Sequence, residues 1–212
     1  MPANRKQRDA VAFLRGADPV LRAVIDQVGP DGFGDPRAGR PQDHYGALVR
    51  SIVSQQLSTQ AARAIYGRLI ERFGGRTPTP EEVLADDPEE LRVAAGLSHA
   101  KILYLRSLAE HVHDRSLELE RLDQLPDDEV VAELTAVRGL GLWSAHMFLM
   151  FHLQRPDVLA VGDLGIRRAV MLRYGLSRLP STPEIGRIAE PWRPHRTLAC
   201  RFLWRSLDAT PV

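Results

Sequence analysis

Asp163 is the residue of this chain best placed to do chemistry. It follows Leu159-Ala160-Val161-Gly162 at a point where the sequence starts a new helix. A carboxylate at a helix start is kept ionised and fixed in direction by free backbone amides, and such an anion can stabilise positive charge developing in front of it. The same position also suits a plain N-cap, and the two roles are compatible. Upstream lies Val137-Arg138-Gly139-Leu140-Gly141, between two apolar-periodic segments. Two glycines one residue apart let the backbone turn tightly and expose amides at the start of the second segment, where they can grip a phosphate without reading base sequence. These five residues equally suit an αα-corner with a glycine cap. Trp143, just after the hairpin, offers an aromatic face, and such faces attract cations.

The elements that must position these residues are helical. Apolar residues recur at spacings of three and four, with no alternating run long enough for a strand, so the fold class is all-α. Asp18-Pro19, Thr79-Pro80-Glu81-Glu82, Asp87-Pro88-Glu89-Glu90 and Thr182-Pro183-Glu184 are helix starts, each with a capping side chain before a proline or acid. The pattern predicts helices over about 18–28, 43–56, 58–73, 80–86, 88–95, 98–114, 127–137, 141–154, 163–175, 182–190 and 194–208. The Gly- and Pro-rich run from Gly29 to Pro41 reads as a surface connection joining two lobes. The expected organisation is residues 1–42 as N-terminal helices and linker packing with the C-terminal lobe, 43–134 as a central helical lobe, and 135–212 as hairpin and C-terminal catalytic lobe.

Composition excludes several classes. The 212 residues, 44% of them apolar, are enough for one large domain or two small lobes. The most apolar stretch, Leu142 to Leu153, is broken by Ser144, His146 and His152 and falls short of the roughly 20 residues of a membrane span. The N-terminus lacks the apolar segment of a secretory signal, so a cytoplasmic protein is expected. Cys200 is the only cysteine, which excludes an internal disulfide, a Cys-rich zinc site and a four-cysteine iron-sulfur cluster. The net charge of +1 hides an uneven distribution: 15 acids against 5 bases from Glu81 to Ala136, but 10 arginines against 5 acids from Phe151 onward. One basic face is therefore compatible with near-neutrality overall, although arginine-rich surfaces are also ordinary in a chain with 26 Arg and 2 Lys.

Five ordered motifs carry a resemblance over Tyr45 to Leu207. They are Ile52-Val53-Ser54-Gln55-Gln56-Leu57-Ser58, Gly96-Leu97-Ser98-His99-Ala100-Lys101, the hairpin with Trp143-Ser144-Ala145, Val161-Gly162-Asp163-Leu164-Gly165, and Trp192-Arg193-Pro194. The sequence resembles the helix-hairpin-helix/Gly-Pro-Asp superfamily of DNA glycosylases, in particular its 3-methyladenine DNA glycosylase II branch. That resemblance implies two helical lobes with a helix-hairpin-helix motif and an active-site cleft between them. It implies a monofunctional glycosylase, acting as a monomer on double-stranded DNA containing damaged bases. Alkylated bases of the 3-methyladenine and 7-methylguanine type would be excised by hydrolysis of the N-glycosidic bond, after the nucleotide is rotated out of the stack.

By the same resemblance Asp163 is the catalytic carboxylate, and Trp143, Met147, Trp204 and Gln55 form the substrate pocket. Gly139, Leu140, Gly141 and Arg138 contact DNA, and His99 or Leu97 wedges into the gap left by the flipped base. The carbonyls of Thr135, Val137 and Leu140 would hold a structural monovalent cation, sodium or potassium; catalysis needs no cofactor. Trp204, at a helical interval from Cys200 and Leu207, also suits core packing; His99 also suits an exposed helix start, and Gln55 a polar helix end. The sequence departs from the family where Met147 stands in place of an aromatic and His195 in place of a tryptophan. Relatives that also cut the strand carry a lysine where this chain has Trp143, and the only lysines here are Lys6 and Lys101. Two other readings stand beside this one: a non-enzymatic helix-hairpin-helix DNA-binding protein in which Asp163 only caps its helix, and a glycosylase for oxidised or mismatched bases.

Overall fold

The computed structural model describes residues 5–30, 33 and 38–208. Among them every regular element is helical. The chain divides into two compact units, one taking the chain up to Ala38 and again from Gln154, the other running Gly39–Leu153.

The first unit contains α1 (Arg5–Ala17), α2 (Pro19–Val28), and, after the second unit, α10 (Leu164–Arg173), α11 (Thr182–Ile188) and α12 (Arg196–Asp208). α12 packs against α2 and α10, and α1 against α2. Leu14, Leu21, Ile25, Ile166, Val170, Trp192, Phe202 and Leu203 are all buried within this unit. A buried carboxylate ties its parts together. Asp18 caps α2 by accepting from the amides of Val20 and Leu21 through Oδ1, while its Oδ2 accepts from the Tyr174 hydroxyl and from the Trp192 indole N–H at 2.9 Å. Four donors converge on one anion, the arrangement that makes burial of a charge tolerable. Burial, then Asp18 itself, pushes the Tyr174 hydroxyl well above the usual phenol range and keeps it a donor.

The second unit holds α3 (His44–Ser54), α4 (Thr59–Arg72), α5 (Pro80–Ala85), α6 (Pro88–Ala95), α7 (His99–His113), α8 (Asp127–Ala136) and α9 (Leu142–Met147), which continues into one π-helical turn, Phe148–His152. α3 packs on α4, α7 and the π-helical turn, α5 and α6 lie on α7, and α8 meets α9. Leu48, Ile52, Leu69, Val83, Leu91, Leu105, Leu108, Val130 and Leu134 form its core.

Three expectations are revised. α1 is absent from the predicted helices because only Ala10, Val11 and Leu14 of its thirteen residues are buried, a stripe too narrow to stand out in a highly charged segment. The single helix predicted over 141–154 is broken at Phe148. There His152 stacks on Phe148 at 4.8 Å and its Nε2 meets His44 Nδ1 at 2.7 Å, contacts that accompany the wider π turn. The break expected at residue 134 lies instead after Leu153, because α9 packs with α8 and the π-helical turn beyond it packs with α3. No helix of the described residues is long and apolar enough to cross a membrane.

Because Asp18 serves four donors, two of them side chains from distant parts of the sequence, Asp18→Ala is expected to destabilise the protein by roughly 3–5 kcal/mol in urea unfolding. Asp26→Ala, which removes an exposed pair with Arg15, should change stability by less than about 1 kcal/mol.

Candidate active site

Asp163 begins α10 as its N-cap, with an extended backbone and its side chain turned back onto the helix. Oδ1 accepts from the Ile166 amide at 2.8 Å and from the Trp204 indole N–H at 2.8 Å. The residue is half-buried. The segment leading to it is tied to the start of α12. Thr197 Oγ1 donates to the Arg155 carbonyl at 2.6 Å and accepts from the Val158 amide at 3.0 Å, and the Thr197 amide donates to Pro156 O at 3.0 Å. Asp157 accepts from Arg196 Nε and Arg193 Nη1, each at 2.7 Å. One helix thus pins the approach to Asp163 through its first turn and the carboxylate itself through Trp204, two turns further on. Charge-assisted bonds of this kind each contribute about 1.5–3 kcal/mol and fix direction as well.

Neighbouring groups flank the carboxylate. Leu164 is 65% exposed directly beside the carboxylate. Cys200, one helical turn before Trp204, is fully buried; burial, with Asp163 adding to it, pushes its thiol up to about 12, so it stays neutral and unreactive. Trp204 was expected in the substrate pocket by resemblance. Its indole nitrogen donates to the carboxylate, a contact that spacing along the sequence does not reveal.

The remaining candidates lie in the second unit. Gly139 has φ +95°, and a Cβ built there would stand 2.1 Å from the Tyr104 ring, so the turn needs glycine for two independent reasons. Leu140 N donates to Val137 O at 3.1 Å to close the turn, with both side chains buried. Arg138 and Gly141 are exposed. Gly141 is the N-cap of α9 and supplies no side-chain cap, so the first amides of α9 receive none. Trp143 is 43% exposed in that first turn, and Met147 follows one turn later, half-buried. His146, between them on α9, is held below its usual range by burial, partly opposed by Asp127, and is therefore neutral at physiological pH.

Gln55, expected in the substrate pocket by resemblance, touches the hairpin in this structure. Its Nε2 donates to the Gly139 carbonyl at 2.8 Å and to Ser144 Oγ at 3.2 Å, bracing the hairpin from the end of α3. Leu97 is only 3% exposed, packed behind the Gly96 cap of α6, and so cannot serve as a wedge. His99, at the start of α7, is exposed. Sequence reasoning missed Tyr104 and Ser144; the only signal for Tyr104 would have been the glycine it packs on. Lys101 directs its Nζ to Val53 O at 2.7 Å, and burial lowers its proton affinity.

The candidate cation ligands, the carbonyls of Thr135, Val137 and Leu140, lie at the C-terminal end of α8 and in the turn beyond it. Neutral oxygens at the negative end of a helix suit a monovalent cation. Among the described residues no group of three or more His, Cys, Asp or Glu side chains could hold a metal ion.

Known proteins resemble this chain in sequence and in fold. The DNA-3-methyladenine glycosylase 1 of Schizosaccharomyces pombe is 33% identical over 199 residues, covering 93% of this chain and 86% of the relative. The solved structure of the 3-methyladenine DNA glycosylase of the same yeast in complex with abasic DNA superposes with a TM-score of 0.84 at 31% identity, covering 96% of this chain and all of that one. A DNA-3-methyladenine glycosidase from Bacillus halodurans gives a TM-score of 0.80 at 34% identity, over 97% of this chain and 91% of its own. Residues 49–194 match the family described as HhH-GPD superfamily base excision DNA repair protein. With its helical architecture, glycine hairpin and aspartate at a helix start, the chain belongs to the HhH-GPD superfamily of base excision DNA repair proteins.

Proposed function

We propose that this protein is a monofunctional DNA glycosylase that removes alkylated bases, of the 3-methyladenine and 7-methylguanine type, by hydrolysing the N-glycosidic bond. The observation that carries the proposal is the Asp163 carboxylate, held at a helix start by the Ile166 amide and the Trp204 indole. An anion so oriented stabilises the oxocarbenium charge that develops on the sugar as the base departs, and helps direct water to the anomeric carbon. An alkylated purine is already cationic and leaves without strong protonation. A strong general acid is therefore unnecessary, and an exposed aromatic face such as that of Trp143 suits the positive ring. Met147 extends that surface by one helical turn.

Hydrolysis, rather than strand cleavage, follows from the lysines. An imine with the sugar needs a lysine amine at the site; position 143 is tryptophan, and Lys101 is committed to the Val53 carbonyl. The N-terminus of α9 after Gly141 would hold a phosphate of duplex DNA beside Arg138, with a potassium or sodium ion on the carbonyls of Thr135, Val137 and Leu140 adding positive charge there. His99 is the candidate wedge. A cytoplasmic monomer is part of the same proposal.

Incubation of the purified protein with methylated duplex DNA is expected to release methylpurines and leave abasic sites, with strand breaks appearing only after alkali. Asp163→Asn should bind damaged DNA normally and lose at least about 100-fold in single-turnover excision. Tight binding without base release by the wild-type protein would favour a non-enzymatic DNA-binding role, and an undiminished rate in Asp163→Asn would refute the mechanism. Gly139→Ala, which must displace Tyr104 and strain the turn, is expected to weaken duplex binding roughly 10-fold or more in a fluorescence titration, with methylated and unmethylated DNA affected alike.

A further inference from the structure

Gly165 follows Asp163 by two residues, in the first turn of α10. A Cβ placed there would stand 3.0 Å from Asp163 Oδ1 and 3.1 Å from both Cδ1 and Nε1 of Trp204. The bare backbone at this position is therefore what lets the indole edge reach the carboxylate. Most side chains at 165 would enter the same space and separate the two groups. Trp204 is only half-buried, so packing alone does not account for where its N–H points. Its nitrogen and the Ile166 amide converge on the same oxygen, one from α12 and one from α10. Two donors from different directions fix both the plane and the tilt of a carboxylate, which a single N-cap bond does not.

We propose that Trp204 and Gly165 form a positioning pair for the catalytic anion: Trp204 orients Asp163 through its indole N–H, and Gly165 keeps clear the space through which it does so. This rests on the reading of Asp163 as the group that acts on the sugar. It assigns Trp204 a task different from stacking on the excised base. A stacking residue needs a flat ring and would keep most of its effect as phenylalanine, whereas a positioning residue needs the N–H.

Trp204→Phe tests the distinction because it retains an aromatic ring and removes only the donor and part of the area. Single-turnover excision from methylated DNA is expected to fall roughly 10- to 100-fold, while affinity for an abasic-site duplex stays within about twofold of wild type. Gly165→Ala should reproduce this pattern with the tryptophan still present. A rate retained in Trp204→Phe, or one lost only in proportion to DNA affinity, would overturn the proposal. An activity-independent reading comes from the Trp204 indole N–H resonance in ¹H–¹⁵N spectra, assigned by through-bond experiments on the wild-type protein. It should move clearly in Asp163→Ala and in Gly165→Ala, and an unmoved resonance in Asp163→Ala would refute the bond even if the Phe variant failed to fold. Absence of base release by the wild-type protein would instead overturn the glycosylase reading, with the resonance still reporting on the indole–carboxylate contact.

Discussion

A carboxylate that acts on a sugar has to be held rigidly and yet stay within reach of solvent, and those demands conflict. Side chains are usually immobilised by burial, but burying an anion is costly unless donors surround it. Asp163 meets both demands by sitting at the start of α10, where the Ile166 amide is already aimed outward, and by drawing a second donor from the indole of Trp204. The rest of the first unit can be read as the support of this arrangement. α12 contributes the indole from its later turns and, from its first turn, the Thr197 and Arg196 contacts that anchor the segment leading to Asp163.

Asp18 offers an instructive contrast within the same unit. It too caps a helix and accepts an indole N–H, from Trp192, but it is 7% exposed and surrounded by donors, and its function is architectural. The same chemical solution, a capping aspartate with a tryptophan donor, therefore appears twice. What separates the two is access: Asp163 is half-buried with the exposed Leu164 beside it, whereas Asp18 is sealed into the packing of α1, α2 and α12.

In the second unit the corresponding constraint is the hairpin. Gly139 is required by its positive φ and by the Tyr104 ring that occupies the space of a side chain. Gln55 then braces the turn from the end of α3, its Nε2 donating both to the Gly139 carbonyl and to Ser144 Oγ at the start of α9. Gly141 at the start of α9 supplies no side-chain cap, and a helix N-terminus of this kind suits a phosphate. Gln55 therefore contributes to the shape of the turn, whatever else it meets when DNA is present.

Much of this was legible in the sequence because it depends on local chemistry. Capping residues before prolines and acids marked most helix starts, the three-four apolar spacing marked the fold class, and the Gly139-Leu140-Gly141 run and Asp163 stood out at element boundaries. α1 was missed because its apolar stripe is narrow, and the π turn is accompanied by a contact with His44, more than a hundred residues away from His152. Neither leaves a periodic trace. The sequence could equally not distinguish Leu97, buried, from His99, exposed, since adjacent polar and apolar residues at a helix start fit either arrangement. The Ile166 amide on Asp163 is a local cap, but that the Trp204 indole joins it, and that Gly165 makes room for it, was decided by tertiary packing. A hydrogen bond between α10 and α12 is set by how two helices cross, and crossing geometry is written in side-chain shapes spread over the whole unit rather than in any short motif.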